Sequence, residues 1–98
     1  MTDKYILLYK TPVPERDLLA WARWFETADR HVAKSLVGDV RVSTVFMGLD
    51  HSFGGDTPIL FKTIVFGGLL DGEEARYATW DEAEKGHAAM VAKVNAHA

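Results

Sequence analysis

The chain has 98 residues, no cysteine and a formal charge of −3, with 48% hydrophobic and 26% charged residues. That is the size of one small globular domain with a limited core, and it excludes disulfides, thiolate catalysis and cysteine-ligated zinc. The charge argues against broad phosphate-backbone binding to nucleic acid while leaving room for a local basic patch.

The opening stretch MTDKYILLYKTPVPERD lacks the pattern of a signal peptide. No run approaches the ~18 apolar residues that would span a membrane, so no membrane partner is expected. Absence of cysteine fits a reducing compartment, and a cytoplasmic protein is expected.

In chain order, residues 5–9 (YILLY) read as a strand, ended by Thr11-Pro12-Val13-Pro14, whose prolines are expected to forbid regular pairing. Residues 15–28 read as a helix. Leu18, Trp21, Ala22 and Phe25 share one face, and Pro14, Glu15 and Asp17 suit the amino end. His31–Val37 admits two readings: a strand turning through Gly38-Asp39 into a strand at 41–49, or a continuation of the helix to Leu36. The hairpin is preferred, because two β-prone runs bracket a Gly-Asp pair.

Residues 59–66 (ILFKTIVF) are apolar on both alternation sets except at Lys62 and Thr63. Such a strand is central, or has its second face covered by a helix or a partner subunit. Asp71-Gly72 marks a further turn and residues 75–78 a short return strand. Thr79-Trp80-Asp81-Glu82 matches a capping box, opening a helix to about Asn95 with Trp80, Ala83, His87, Met90, Val91 and Val94 on its apolar face. Gly86 costs that helix about 1 kcal/mol relative to Ala, which points to close packing or a need for space beside His87. The order predicts a single α+β domain: an antiparallel sheet of four to five strands with two helices packed on one face.

Functional chemistry is sought first in the loop at 48–58, which sets Asp50, His51, Ser52 and Phe53 among glycines. A carboxylate beside an imidazole can contact a ligand or work as an acid–base pair; equally, Asp50 can cap a turn and leave His51 on the surface. There is no His-x-His and no His-Glu-x-x-His, so no metal site and no cofactor is assigned. Gly54-Gly55-Asp56 lacks any phosphate-loop spacing. His87 reads either as a hydrogen-bonded core histidine or as a residue meeting Asp50 or His51 across a pocket. Trp24, at the edge of its helix face, and Phe53 are candidates for stacking or an interface. Arg16, Arg23 and Arg30 recur every seven positions, as a solvated face or an anion-binding one. Ser35, Ser43 and Ser52 lack a nucleophile-elbow context, so no catalytic residue is assigned.

The blocks VSTVFMGLDHSFGG, PILFKTIVFGG and RYATWDEAEKGHAAMV resemble a family of small uncharacterised phage and bacterial proteins, marked by a Gly-Leu-Asp-His loop and a Tyr-x-Thr-Trp-x-Glu-Ala helix start. The resemblance covers residues 24–91 and implies a compact phage-type accessory protein acting in counter-defence.

The resulting expectation is a non-enzymatic homo-oligomer that sequesters a small anionic ligand such as a nucleotide signal, through Asp50, His51, Ser52, Phe53, Trp24, Arg23 and His87. Two alternatives stand beside it. One is a protein-binding module that captures a host defence protein through an edge strand and Trp24. The other is a small hydrolase using Asp50, His51 and His87.

Overall fold

The computed structural model of the chain describes residues 2–97. Strands β1 (Tyr5–Leu8) and β2 (Thr11–Pro14) form a two-stranded hairpin, and α1 (Leu18–Thr27) follows. Then come β3 (His31–Val37), β4 (Val40–Phe46), β5 (Phe61–Phe66) and β6 (Glu74–Tyr77), one antiparallel sheet in that order, before α2 (Trp80–Ala96). The fold is α+β, with a four-stranded sheet, a two-stranded sheet and two helices.

Register divides the four-stranded sheet into two unlike faces. Residues opposite one another share a face, and alternate residues along a strand change face. Val42 lies opposite Val65, Thr44 opposite Thr63 and Phe46 opposite Phe61, and all six are fully buried. This is the face that α2 covers: Val42 and Val65 cluster with Met90 and Val94, and Phe46 and Phe61 with Leu60 and Ala83. Each large apolar side chain so buried contributes about 1.5–3 kcal/mol of transfer free energy. The helix starts where the sequence places it, with Thr79 and Glu82 closing a capping box.

Three expectations are corrected. The prolines do not forbid pairing, because Pro12 lies opposite Leu7 and Pro14 opposite Tyr5. Glu15 N–H donates to the Lys4 carbonyl at 2.9 Å, so 15 and 4 are a hydrogen-bonded pair. By alternation, 12 and 14 then fall on positions that need no ladder donor. Helix α1 starts later than expected, because β2 consumes Pro14; Asp17 is its cap, accepting from the N–H groups of Leu19 and Ala20. Only α2 packs along the four-stranded sheet. Helix α1 lies against β1 and reaches the core through Trp24, whose ring meets Phe46 edge-on at 5.7 Å.

The second face of the sheet carries the other set: Lys34 and Leu36 of β3, Arg41, Ser43 and Val45 of β4, Lys62, Ile64 and Phe66 of β5, Glu74 and Arg76 of β6. Among the described residues, no helix lies across it.

Candidate functional site

The loop singled out in the sequence is a structural junction. Asp50 Oδ1 accepts from the backbone N–H of Ser52 at 2.8 Å and of Ile59 at 3.0 Å, while Oδ2 accepts from the Ser52 hydroxyl at 3.0 Å. Burial on its own would raise the Asp50 pKa. The Ile59 and Ser52 donors, with His51 nearby, outweigh it and hold the carboxyl below its ordinary value. His51 Nδ1 lies 2.9 Å from the Leu49 carbonyl, and its ring meets Phe53 edge-on. Phe53 itself sits at positive φ at the loop tip, 87% exposed.

Just upstream, the loop ties three elements together. The Gly48 carbonyl accepts from Trp21 Nε1 of α1 at 3.1 Å and from Tyr5 N–H of β1 at 2.8 Å. Gly48 adopts φ +74, and a Cβ there would meet the Phe25 ring at 3.1 Å, so both conformation and space call for glycine.

His87 is a buried residue in a row of hydroxyls. Tyr77 Oη donates to Thr63 Oγ1 at 3.2 Å, Thr63 and Thr44 hydroxyls are 2.5 Å apart, and Thr44 Oγ1 is 2.7 Å from His87 Nδ1. His87 Nε2 completes the row at 2.8 Å from Ser35 Oγ. With Tyr77 donating at one end, each hydroxyl donates once and accepts once if Thr44 donates to Nδ1. The imidazole is then neutral, with its proton on Nε2, directed to Ser35. Burial agrees, holding the His87 pKa below the ordinary imidazole value. Both ring nitrogens are thus committed to Ser35 and Thr44, and neither to Asp50 or His51. A serine–histidine pair exists, but a threonine rather than a carboxylate stands behind it.

Trp24 is half-buried on Phe46, while Arg23 is exposed on the outer side of α1. The seven-residue arginine stripe does not form. Arg30 lies beyond the helix, with Nη1 donating to the Phe46 carbonyl at 2.9 Å and its guanidinium 3.9 Å from the Phe25 ring centre. The expected ligand residues Asp50, His51, Ser52 and Phe53 share the loop; Trp24, Arg23 and His87 are placed in three other environments.

Charge gathers instead on the open face of the four-stranded sheet. Lys34, Arg41, Lys62 and Arg76 project there with one carboxylate on the strands, Glu74, which pairs with Arg76 at 3.3 Å; the exposed Asp29 carboxylate, just before β3 and hydrogen-bonded to His31, also feels the Lys34 charge. Lys62 stands directly opposite Arg76. Like charges opposite one another on a sheet are destabilising. Among the described residues, Lys34, Arg41 and Lys62 have no carboxylate within salt-bridge distance.

Between the cations the floor is apolar: Val45 and Ile64 are half-buried and Phe66 is 39% exposed. The Arg41 guanidinium lies 4.5 Å from the Phe66 ring centre, a cation–π contact that steadies it on the face. Beside it, an open pocket of about 410 Å³ is lined by Lys34, Ser35, Leu36 and Arg41.

Sequence reasoning passed over this face, although Lys62 was visible as a polar break in residues 59–66. What it lacked was the register that brings Arg41, Lys62 and Arg76 to one side. The row through Thr44, Thr63 and Ser35 was not legible either: Thr63 shows only as a polar break and Ser35 only as a serine without a nucleophile context, and a lone hydroxyl in a strand carries no signal until its neighbour across the sheet is known.

Among the described residues, no group of three His, Asp or Glu side chains can hold a metal ion, and no helix is long and apolar enough to cross a membrane. Compared with known proteins, the chain matches no family model, no curated protein and no solved structure.

Proposed function

We propose that this chain is a non-enzymatic binding protein whose working surface is the open face of the four-stranded sheet, and whose ligand is an anion. One observation carries the reading: Lys62 and Arg76 are set opposite each other, with Lys34 and Arg41 on the same face and one carboxylate, Glu74, on the strands among them. In a chain of net charge −3, this concentration costs stability in the free protein, and a bound anion relieves it. Nucleotide signals belong to this ligand class, and their sequestration is the counter-defence role implied by the family resemblance. A homo-oligomer, if formed, uses another surface, because stacking this face on its own copy would oppose cation to cation.

The catalytic alternative has less support. Asp50, His51 and His87 share no hydrogen bond, and the carboxylate is taken up by its own loop.

The test is thermal denaturation with millimolar pyrophosphate, ATP or a cyclic dinucleotide. A ligand at 100 times its Kd stabilises the fold by about 2.7 kcal/mol, or about 10–20 °C in a domain of this size. Lys62→Glu and Arg76→Glu should abolish the shift, and Arg23→Glu on α1 should leave it. An unshifted melting point with every anion would refute the proposal.

A further inference from the structure

We infer that the natural occupant of the open sheet face is single-stranded nucleic acid, laid across the strands with its phosphates on the four cations and its bases on the floor between them. The inference rests on the reading of this face as an anion surface and names the partner.

Spacing separates a polymer from a small ligand. Arg41 lies opposite Phe66, and Lys62 opposite Val45. Arg41 and Lys62 are therefore four residues apart along the strand direction, about 13 Å at ~3.3 Å per residue. Lys34 on β3 and Arg76 on β6 are separated by three strand spacings, about 14 Å at ~4.8 Å each. The cations fall into two pairs, Lys62 opposite Arg76 and Lys34 beside Arg41 at one pocket. Anions repeated along a flexible chain can engage all four.

The surface between the cations suits bases. Phe66 is partly exposed with the Arg41 guanidinium 4.5 Å from its ring centre, and aromatic rings and guanidinium planes are what unpaired bases stack on. Ile64 and Val45 continue the apolar floor, and the pocket beside Arg41 has room for a base. In a duplex the base faces are already stacked on one another and cannot lie on this floor. The preference is therefore for single strands. Nothing on the face offers a fixed set of base-edge partners, so little sequence preference is expected.

The experiment is fluorescence anisotropy of a labelled 12-nucleotide oligothymidylate with the full chain between 50 and 200 mM salt. Four phosphate contacts predict a log–log salt slope of about −2.8, a loss of about 50-fold across that range. Arg41→Ala or Lys62→Ala should each reduce the slope by about 0.7. Phe66→Ala should weaken binding several-fold and leave the slope unchanged. A blunt duplex of the same length should bind at least tenfold more weakly, and melting curves check that each variant stays folded.

Three results would overturn the inference. If thymidine monophosphate binds as tightly as the oligomer and Lys62→Glu abolishes both, the face is a small-anion site and only the polymer falls. If the oligomer binds with a slope that neither Arg41→Ala nor Lys62→Ala changes, it binds elsewhere. If the oligomer, the mononucleotide and pyrophosphate all fail to bind, the inference and the anion proposal fall together.

Discussion

Replacing Gly86 by alanine sets helix propensity against packing, and the structure decides which wins. In an exposed helix interior the change would stabilise by about 1 kcal/mol. At position 86 the added Cβ would stand 2.2 Å from Cε1, Cζ and Oη of Tyr77, far inside the 3.5–4.0 Å of a favourable contact. The Tyr77 ring has to move by more than 1 Å to make room. Doing so strains its packing on Phe61 and Ala83 and breaks its hydrogen bond to Thr63.

Overpacking of this kind costs about 1–3 kcal/mol, and the lost hydrogen bond about 1 kcal/mol more. After the propensity gain, Gly86→Ala should destabilise by about 1–3 kcal/mol, lowering the melting point by about 4–20 °C. Urea denaturation followed by tryptophan fluorescence measures it. The same substitution in a Tyr77→Ala background removes the clash, and there it should stabilise by up to about 1 kcal/mol. A stabilising Gly86→Ala in the otherwise unchanged chain, or an equal cost in both backgrounds, would show that Tyr77 is not what requires the glycine.

Asp50→Ala should cost about 1–3 kcal/mol, since three donors in the 50–59 loop lose their acceptor; an unchanged urea midpoint would show that these bonds do not hold the loop. Thr44→Val keeps the shape and removes the donor facing His87 Nδ1, with an expected loss of about 1–3 kcal/mol by the same assay. His87 and Asp50 both have lowered folded-state pKa values, so each stabilises above its unfolded-state pKa. The His87 contribution is fully present above about pH 6.5 and is lost as pH falls from there toward the folded value; that of Asp50 is lost only below about pH 4. Stability measured from pH 7.5 to 5 should therefore fall in the wild-type chain and fall less steeply in His87→Gln; parallel profiles would contradict the buried neutral imidazole.

Local chemistry was legible where one segment contains the whole signal. Thr79 and Glu82 are three residues apart and cap their helix within one turn. Gly38-Asp39 closes its own hairpin, and β3 falls at 31–37 as read. Legibility stopped where the deciding partner is distant in the chain. Pro12 and Pro14 pair because of how Lys4 meets Glu15, which no proline count reveals. The turn that makes this possible is Tyr9-Lys10, with Tyr9 at φ +60 and no glycine to announce it.

Asp50 looked like a ligand residue because aspartate beside histidine in a glycine loop has two uses. The structural use becomes visible only with Ile59, nine residues on. Lys62 and Arg76 look like solvated charges on separate strands until β5 and β6 set them face to face.

The row from Tyr77 through Thr63, Thr44 and His87 to Ser35 crosses the sheet from β6 to β3. With Tyr77 donating at one end and the His87 proton on Nε2, all of its donors point the same way, which gives the sheet a dipole perpendicular to the strands that antiparallel pairing by itself does not supply. The β3 end is where the Ser35 hydroxyl still has a proton to give, and the β6 end is where the Tyr77 oxygen can still accept. A proton taken up by His87 cannot be absorbed locally. Nδ1 becomes a donor, Thr44 has to turn toward Thr63, and Thr63 toward Tyr77, while Nε2 still donates to Ser35, so both arms then point away from the imidazole and the one-way polarity of the row is lost.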